Sequence, residues 1–595
     1  MPSTARILVN CNRLGLSPKP GIVARYFALD KRLSLEPPHD SRGINLLHDP
    51  LWNKGTSFGI SERERFGVRG LLPPRILDMD DQIARFLAYL DDEPDDIRKA
   101  VCLSELHDRN ETLFHRVLVD NIEKLAPIVY TPTVGRVCLE FGSRFRRPRG
   151  MYFSSADRGN FDAMMYNWPQ KDVHICVVTD GSRILGLGDL GVNGMGIPVG
   201  KLALYCAAGG IAPHRVMPVM LDVGTNNQEL LDNPRYLGMA HKRLTGDEYY
   251  ELVDEFMAAM RHHFPNACVQ FEDFQSEVAG TILEKYRHNT LCFNDDIQGT
   301  GCVALAGLLS ALQAQGKHPE SLKDQRILVA GAGSAGLGVA AMLVQGMMQQ
   351  GLSEAEARAR FYICDKDGLI GAEREGTLEL TQADFMRCDL PAGMSLEQVA
   401  AAAKPTILLG LSAVGGLFSQ TLVETVQAAA EAQGSKGAII FPLSNPTANA
   451  ECTLEQALEW TGGKCVFASG SPFEPVTTPD GVTHTPSQCN NMFIFPGLGL
   501  GLSVGGAKKC TDATLYDISI ALASSLTTAE RANGQVFPTV SRIREVSEAI
   551  ALATIKSTMK QGLATKVKEG EDIEVLLDRK TYYPTYVPLG MSPYR

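Results

Sequence analysis

The chain has 595 residues, more than one hydrophobic core accommodates, so the sequence predicts several globular domains. With 44% apolar and 21% charged residues, its composition is that of an ordinary soluble protein, which excludes an intrinsically disordered or collagen-like chain. The formal net charge of −11 repels phosphate backbones and argues against nucleic acid as a partner, although a local cluster of Arg and Lys can still bind a small anion.

The first part of the chain predicts an arm followed by helices. Residues 1–45 are rich in Pro and Gly and only weakly periodic, which is typical of an arm. Helical spacing begins after them, because the segments 82–89 and 108–121 each place their apolar side chains on one face. We therefore expect helices over residues 61–125.

Two series of α/β units follow, and each predicts a parallel sheet. In the first series, the β-branched runs 174–179 and 216–221 are each followed by a helix-like stretch. After about Pro486 we expect the chain to return to this first α/β domain. The second series begins near Leu322, with strands predicted at 326–330, 361–364, 406–411 and 438–443 and alanine-rich helices at 396–403 and 422–433.

A glycine-rich loop in the second series predicts a dinucleotide site. Gly331, Gly333 and Gly336 form a G-x-G-x-x-G pattern between a β run and the small-residue helix 337–348. These glycines permit a tight turn, close approach of a pyrophosphate and close helix packing. The next strand ends at Asp365, whose carboxylate can hold the ribose hydroxyls. The predicted cofactor-binding residues of this region are Gly331, Gly333, Ser334, Ala335, Gly336 and Asp365.

Two other glycine-rich stretches match phosphate-binding patterns only in part. Residues 186–191 fit G-x-G-x-x-G, but no helix of small residues follows them. Residues 196–201 approach a P-loop, but Met195 replaces its first glycine and Leu202 its Ser or Thr. We expect neither stretch to bind a nucleotide.

Two acidic motifs within apolar sequence are candidates for a metal site. They contain the pairs Glu272–Asp273 and Asp295–Asp296. Burying carboxylates is unfavourable unless their charge is compensated, and Mg²⁺ or Mn²⁺, which prefer oxygen ligands, would compensate it. The alternative is that these groups cap helices or pair with Arg. None of the twelve histidines has H-x-x-x-H spacing, which argues against a zinc site.

Lys201 and Tyr130 are candidates for proton transfer. Lys201 follows a glycine-rich stretch and begins the apolar segment 202–206, so we expect burial to lower its pKa and suit it to base chemistry. The alternatives are a solvated lysine and a tyrosine that only packs in the core.

Taken together, these segments resemble the malic enzyme family over nearly the whole chain. Further motifs in the family's order are residues 70–74 (GLLPP), 128–135 (IVYTPTVG), 178–189 (VTDGSRILGLGD), 444–447 (SNPT) and Asn490–Asn491. The resemblance implies oxidation of L-malate by a nicotinamide cofactor, with Mg²⁺ or Mn²⁺, and release of CO2 and pyruvate. It favours NAD over NADP, because Lys366 follows Asp365 where NADP-specific members commonly have Ser. The pattern is most similar to the NAD-using members of plant mitochondria.

The resemblance also implies a role for each site residue. It assigns the metal to Glu272, Asp273 and Asp296. It assigns substrate contacts to Arg183, Asn445, Asn490 and Asn491, of which Asn445 also contacts the cofactor. It assigns proton transfer to Lys201 as general base, Tyr130 as general acid and Asp295 as a partner in the relay.

The family's fold implies a multidomain α/β architecture. It consists of an N-terminal arm (1–45), a helical N-terminal domain (46–148), an α/β substrate domain split between 149–297 and 486–560, an inserted Rossmann-type NAD(P)-binding domain (298–485) and a C-terminal tail (561–595). Members are usually homotetramers built as dimers of dimers, with malate as the small-molecule substrate and no membrane partner. Some animal members have an arginine-based fumarate site. Arg63 matches one such arginine, but no second one is found near Arg85.

The cysteines and the first residues bear on the compartment. The fourteen cysteines are scattered without a C-x-x-C pair, so a reducing intracellular compartment is expected. Residues 1–29 contain no Asp or Glu but four basic residues, as a mitochondrial transit segment does, yet they have little Ser. The sequence leaves mitochondrial matrix and cytosol open. No apolar stretch, such as 407–411 or 438–443, is long enough to span a bilayer.

Two rival functions are compatible with a dinucleotide domain. A metal-independent amino-acid dehydrogenase also places such a domain after a substrate domain, but it gives the acidic motifs no role. A catalytically silent dinucleotide-binding protein would be free to lose the motif residues, yet every matched position is filled.

Overall fold

A computed structural model of the chain describes residues 41–374, 380–479 and 481–589. Most of the predicted arm, including the segment 1–29 with its transit-like composition, and the end of the tail lie outside the described residues. The described chain forms an N-terminal group of helices, two largely parallel sheets and a C-terminal group of helices.

Helices form the N-terminal region, as predicted. The predicted segment 82–89 lies inside the helix Met79–Asp91, which the Asp78 side chain caps by accepting from the Asp81 N–H. The segment 108–121 is not one helix, because Asn110 ends one helix with an extended backbone (φ −157°, ψ 89°) and caps the next through its side chain. The helices are Ile44–His48, Ile60–Arg65, Met79–Asp91, Asp96–Arg109, Glu111–Asp120, Ile122–Val129, Thr133–Leu139 and Phe141–Arg144.

The first sheet has five parallel strands in the order β1-β3-β2-β4-β5. The predicted runs 174–179 and 216–221 correspond to β2 and β3. All five residues of β2 are buried, as expected for a parallel strand covered on both faces. The strands are β1 (Met151–Ser154), β2 (Ile175–Thr179), β3 (Val216–Asp222), β4 (Cys268–Phe271) and β5 (Cys292–Asn294). The accompanying helices are Phe161–Met165, Gly196–Ala207, Gln228–Leu231, Gly246–His263 and Ser276–Tyr286.

The second sheet has seven strands in the order β14-β11-β10-β9-β6-β7-β8, and its four predicted strands are β6, β7, β9 and β10. Strand β6 lies between β7 and β9: the chain passes from β6 to β7 on one side and later returns to form β9 on the other side. Such a reversal of strand order opens a crevice at the carboxyl ends of the strands. The strands are β6 (Ile327–Ala330), β7 (Phe361–Asp365), β8 (Gly368–Leu369), β9 (Ile407–Gly410), β10 (Ile439–Pro442), β11 (Val466–Ser469) and β14 (Ser487–Gln488), with a separate hairpin of β12 (Val476–Thr477) and β13 (Thr483–His484). The helices are Ser334–Gln349, Glu354–Arg358, Leu380–Ala383, Leu396–Ala403, Gln420–Ala432 and Leu454–Thr461.

A long apolar helix joins the two sheets. It starts with the π-helical turn Asp295–Gly299 and continues as the α-helix Thr300–Ala314. The expectation that no apolar stretch is long enough to span a bilayer is wrong for Asp295–Ala314, which has the length and composition to do so, but 78% of its most apolar stretch is buried inside the protein. It is therefore a core helix, packed between the helices Ser334–Gln349 and Asp512–Ser524.

The C-terminal helices return to the first sheet, as predicted. A Cβ added to Gly499 would lie 2.4 Å from the Tyr205 ring and 3.1 Å from Ile175 of β2, so the backbone of this helix lies directly against that domain. The helices are Phe495–Gly505, Asp512–Ser524, Thr528–Ala532, Ile543–Lys560 and Ile573–Lys580. The fold is therefore multidomain α/β with an inserted dinucleotide-binding sheet, and the residue-level domain boundaries stay a prediction.

Candidate active site

The residues expected to carry the chemistry follow three neighbouring strands of the first sheet. Arg183 follows β2, Glu272 and Asp273 follow β4, and Asp295 and Asp296 follow β5. Because β2, β4 and β5 are adjacent and parallel, their carboxyl ends share one edge of the sheet. The fold thus places side chains that are far apart in the sequence at one site.

Three of these carboxylates form a candidate metal centre. Glu272, Asp273 and Asp296 each offer one oxygen, and the three oxygens lie within 4.8 Å of one another. Asp273 Oδ2 is buried with no hydrogen-bond partner in the described part of the chain. Burial and, after it, the negative charge of Asp296 raise the pKa of Glu272 and of Asp273 well above their usual values. An all-oxygen donor set in which one buried carboxylate oxygen has no hydrogen-bond partner among the described residues fits Mg²⁺ or Mn²⁺.

The backbone at Asp273 holds the two acidic motifs together. Asp273 has a φ of 56°, a left-handed conformation that is uncommon outside glycine. Its N–H donates to Asp296 Oδ2 at 2.7 Å, and its Oδ1 accepts from the Leu185 N–H at 3.2 Å. Its carbonyl oxygen accepts from the Arg183 N–H at 3.1 Å. The loop that carries Arg183 is therefore tied to the carboxylate cluster.

Lys201 lies beside this cluster on the helix Gly196–Ala207, fully buried. Its Nζ donates to Glu272 Oε1 at 2.6 Å, contacts Asp295 Oδ2 and lies 4.6 Å from the ring centroid of Phe495. Burial by itself would lower the pKa of Lys201, but the negative charges of Asp295 and Glu272 outweigh burial and raise the pKa well above its usual value. The expectation of a lowered lysine pKa is therefore wrong, because carboxylates remote in the sequence surround the amine.

Tyr130 is buried next to Lys201, at the end of the helix Ile122–Val129. Lys201 Nζ lies 5.7 Å from the centroid of its ring. Burial raises the pKa of the Tyr130 phenol well above its usual value, so the hydroxyl stays protonated. The two elements approach closely because Gly200 has no side chain: a Cβ there would lie 2.6 Å from the Val129 carbonyl oxygen.

The two adjacent asparagines have different positions. Asn491 Nδ2 donates to Asp295 Oδ2 at 3.0 Å and to the Asp295 carbonyl oxygen at 3.1 Å, so it holds the carboxylate that contacts Lys201. Asn490 Oδ1 instead accepts from the Met492 N–H at 2.9 Å and caps the turn Asn491–Phe493. In this structure Asn490 shapes the turn, and Asn491 belongs to the cluster around Asp295.

Arg183 follows the first sheet and Asn445 the second, and the loops that carry them pack against each other. The exposed Arg183 donates from Nη1 to Ser276 Oγ at 2.7 Å, and Ser276 Oγ lies 3.1 Å from Ser334 Oγ in the cofactor loop. Asn445 Oδ1 accepts from Ser471 Oγ at 2.7 Å. A Cβ on Gly186 would lie 2.9 Å from the Asn445 carbonyl oxygen. The loop that carries Arg183 and Gly186 therefore lies next to the cofactor loop, through Ser276, and next to the loop that carries Asn445.

The three glycines of the cofactor loop differ in what they permit. Gly331 has a φ of 120°, and a Cβ there would lie 2.3 Å from the Leu411 carbonyl oxygen. A Cβ on Gly336 would lie 2.1 Å from the Gly331 carbonyl oxygen, so this glycine permits close packing of the following helix. Gly333 has only Ser276 and Arg183 near 4 Å and faces the open crevice. Ser334 and Ala335 begin the helix Ser334–Gln349, whose N-terminus points at this space.

Asp365 ends β7, as predicted, but its carboxylate is already paired. Arg374 donates to it from Nη1 at 2.8 Å and from Nη2 at 2.5 Å. Burial would raise the pKa of Asp365, but the hydrogen bonds from Arg374 outweigh burial and lower it. Gln382 Nε2 donates to the Ala332 carbonyl oxygen at 3.3 Å, which places Gln382 beside the cofactor loop.

The two partial phosphate-binding patterns have other structures. Residues 186–191 lie in a loop closed by the bridge between Ile184 and Gly188, and no α-helix follows them directly. Residues 196–201 form the first turns of the helix Gly196–Ala207, whose Lys201 reaches the carboxylates. Arg63, which matches a fumarate-site arginine, is buried and donates to carbonyl oxygens of Phe58, Pro73, Thr56 and Arg75.

Several residues of the site were not predicted. Gln270 Nε2 donates to Glu272 Oε2 at 2.9 Å, and Gln270 Oε1 accepts from the Tyr205 hydroxyl. A polar residue inside a fully buried strand was the available signal for Gln270. Phe495, Ser276 and Arg374 had no comparable signal, because their contacts come from remote segments.

Comparison with known proteins shows the family of the chain. The family model described as "Malic enzyme, NAD binding domain" matches residues 297–559, and "Malic enzyme, N-terminal domain" matches residues 107–287. NAD-dependent malic enzyme 2, mitochondrial, of Arabidopsis thaliana is 46% identical over 92% of this chain and 93% of its own length. NADP-dependent malic enzyme of Dictyostelium discoideum is also 46% identical, over 91% of this chain and 98% of its own length.

A solved structure shows the same fold. The crystal structure of Entamoeba histolytica malic enzyme matches with a TM-score of 0.53 and 20% identity, covering 87% of this chain and 90% of that one. The regions aligned with the relatives and with the two family models together cover nearly all of the described chain. They extend from the N-terminal helices through the cofactor loop to the C-terminal helices. The chain belongs to the malic enzyme family.

Proposed function

We propose that this protein catalyses the oxidative decarboxylation of L-malate to pyruvate and CO2, with NAD as hydride acceptor and a divalent metal. The observation that carries the proposal is the contact of Lys201 Nζ with Asp295 and Glu272, beside the three-carboxylate cluster and next to the dinucleotide loop. A proton-transfer group, an oxygen-rich metal centre and a hydride acceptor are the parts that oxidation and decarboxylation of a 2-hydroxy acid require.

Substrate and metal bind between the two sheets in this proposal. Glu272, Asp273 and Asp296 hold Mg²⁺ or Mn²⁺, which when bound polarises the C2 oxygen and offsets the negative charge that develops as CO2 leaves. Arg183 has a guanidinium at the crevice edge and binds a malate carboxylate, for which it exchanges its hydrogen bond to Ser276. Asn445, Asn490 and Asn491 are further substrate contacts, and of these Asn491 lies nearest the catalytic carboxylate.

Lys201 and Asp295 act as a pair in the oxidation step. In the structure Lys201 is an ammonium in contact with Asp295 Oδ2, so it cannot accept a proton until it passes one on. We propose that the Nζ proton moves to Asp295 and that the free amine then takes the C2 hydroxyl proton, while a bound NAD would accept the hydride from C2. Asn491 steadies Asp295 through the same oxygen during this transfer.

Tyr130 completes the reaction as the acid. Its phenol stays protonated because burial raises its pKa, and it lies next to Lys201 on the same side of the cluster. After the bond between C3 and the departing carboxylate breaks, Tyr130 protonates C3 and gives pyruvate. The Lys201 ammonium then restores the proton to Tyr130, and Asp295 returns its proton to the Lys201 amine, which regenerates the starting pair.

The cofactor is held by the loop Gly331–Gly336 in this proposal, with Asp365 and Asn445 as further contacts. Gly333 would leave room for the pyrophosphate, and the N-terminus of the helix Ser334–Gln349 would favour its negative charge. Asp365, which pairs with Arg374, would hold the ribose hydroxyls. NAD as the preferred cofactor is supported by the family match and by the names of relatives such as the Arabidopsis enzyme. We further propose a homotetramer and an intracellular, mitochondrial or cytosolic, location.

A coupled assay tests the proposal. Purified protein is given L-malate and Mn²⁺, and reduced cofactor and pyruvate are measured together, in parallel with NAD and with NADP. One pyruvate per reduced NAD, abolished by EDTA, is the expected result. Reduced NAD with oxaloacetate but no pyruvate would leave a plain malate dehydrogenase. Activity that survives EDTA would favour a metal-independent dehydrogenase and remove the role assigned to the carboxylates.

A further inference from the structure

Three metal-ligating side chains meet on the surface, away from the active site. Asp162 lies in the first turn of the helix Phe161–Met165, and His262 and His263 are the last two residues of the helix Gly246–His263. Asp162 Oδ1 lies 2.6 Å from His262 Nδ1 and 3.1 Å from His263 Nε2, and the three atoms are all within 4.8 Å of one another. A tetrahedral zinc ion with bonds of ~2.0–2.1 Å spaces its ligand atoms by about 3.3 Å, so small side-chain rotations reach that spacing.

The donor set differs in chemical character from that of the active site. It contains two imidazole nitrogens and one carboxylate oxygen, whereas the active-site cluster contains oxygens alone. Imidazole nitrogen suits zinc and the neighbouring transition metals, and Mg²⁺ prefers oxygen ligands. We infer that Asp162, His262 and His263 form a second metal site, selective for Zn²⁺ or a similar transition-metal ion over Mg²⁺.

The site is open to solvent on one side, and the His263 ring is held in place on the other. The side chains of Asp162 and His262 are 54% and 63% exposed, which leaves an open side for ion entry and for a water as fourth ligand. His263 is only 10% exposed, and its ring packs edge-to-face on Tyr166 with centroids 4.6 Å apart. The carboxyl end of the long helix Gly246–His263 also presents its partial negative charge here, which favours a bound cation.

A metal at this site would join two segments that are distant in the sequence. Phe161, next to Asp162, and Phe256, on the helix that ends at His263, are both buried in the core over the first sheet. An ion bound by Asp162 and both histidines requires this arrangement, so it binds the folded protein and stabilises it. Such a site therefore predicts thermal stabilisation by Zn²⁺ that Mg²⁺ does not reproduce.

Zinc binding to the full chain tests the inference. Wild-type protein, Asp162→Asn and His262→Ala are dialysed against Zn²⁺ with Mg²⁺ in excess, and bound zinc per chain is measured. His288→Ala is the matched control, because His288 is an exposed histidine that contacts a single carboxylate, Glu284, at 2.8 Å. We expect one zinc ion fewer per chain in each of the two site variants than in wild type and in the control.

Two further readouts separate this site from the active site. Zn²⁺ is expected to raise the Tm of wild type and of His288→Ala by several degrees and to leave the Tm of both site variants unchanged. Co²⁺ is expected to give visible absorption bands of a nitrogen-containing, low-coordinate site that disappear in both variants. Equal zinc content and equal Tm shifts in all four proteins would overturn the inference. Malate oxidation with Mg²⁺ is expected to be unchanged in the variants, so this test and the test of function fail independently.

Discussion

Gly299 is the position at which one added methyl group tests the role of Asp295. It ends the turn Asp295–Gly299 with φ −64° and ψ −44°, a right-handed helical conformation in which alanine is normally better than glycine by about 1 kcal/mol. Here, however, a Cβ would lie 1.9 Å from Asp295 Oδ1 and 2.7 Å from Asp295 Cγ. Gly299→Ala must therefore push the carboxylate away from Lys201 and Asn491.

The size of the effect follows from two costs. Overpacking of a buried site costs about 1–3 kcal/mol, more than the helical preference for alanine returns, so we expect a Tm lowered by a few degrees. Displacement of a proton-transfer group by about 1 Å lowers kcat on the order of 100-fold. We expect the KM for NAD to change less than kcat, because the atoms nearest the added methyl group belong to Asp295 and Asn491 and not to the glycines of the cofactor loop.

The assay compares kcat, KM and Tm of wild type, Gly299→Ala and Gly280→Ala. Gly280 is the control: it lies inside the helix Ser276–Tyr286 with no atom within 4 Å of an added Cβ, so alanine there should leave kcat unchanged and Tm equal or higher. In an Asp295→Ala background the clash disappears, and Gly299→Ala should no longer lower Tm. A Gly299→Ala enzyme with wild-type kcat would refute the role assigned to the position of Asp295.

Four further predictions address other parts of the molecule. Arg183→Gln is expected to raise the KM for malate about 10- to 100-fold, because loss of a charged hydrogen bond costs about 1.5–3 kcal/mol of binding free energy. The KM for NAD, measured in the same steady-state assay, is expected to be unchanged. Gly331→Ala should lower both Tm and NAD affinity, whereas Gly333→Ala should weaken NAD binding, measured by fluorescence titration, at an unchanged Tm. Tyr130→Phe should slow pyruvate formation more than malate oxidation and accumulate oxaloacetate, and equal loss of both rates would contradict its role as acid. Burial lowers the pKa of His115 to about 3, so between pH 6.5 and pH 3 the unfolded chain binds more protons and stability falls with falling pH. Urea unfolding at pH 6.5 and pH 5 should show a loss of stability that is about 2 kcal/mol smaller in His115→Asn than in wild type.

The sequence was sufficient to predict the features that depend on the residue types of one short segment. Gly331 and Gly336 stand where a side chain would collide with the backbone, and a β run and a helix flank them in the sequence as in the structure. Two strands of the first sheet and four of the second were predicted because their β-branched runs are short and bounded by turn residues. The acidic motifs were found because charged pairs inside apolar segments need compensation.

Tertiary structure decided the electrostatics and the pairings. The pKa of Lys201 is raised, contrary to the expectation from its apolar segment, because Asp295 and Glu272 arrive from other strands. Arg374 pairs with the Asp365 carboxylate, and His262 and His263 lie beside Asp162 of another helix. Neither of these two contacts has a signature in the sequence.

What the sequence by itself determined was therefore the family, the fold class, the glycine-rich loop and the two acidic motifs for which a metal is proposed, because these depend on residues close together along the chain. Which asparagine faces the catalytic carboxylate, which charge dominates at Lys201 and what holds Asp365 were decided only by the tertiary structure. The physical reason is that Coulomb interactions and hydrogen bonds act over a few ångströms of space, and sequence separation carries little information about that distance.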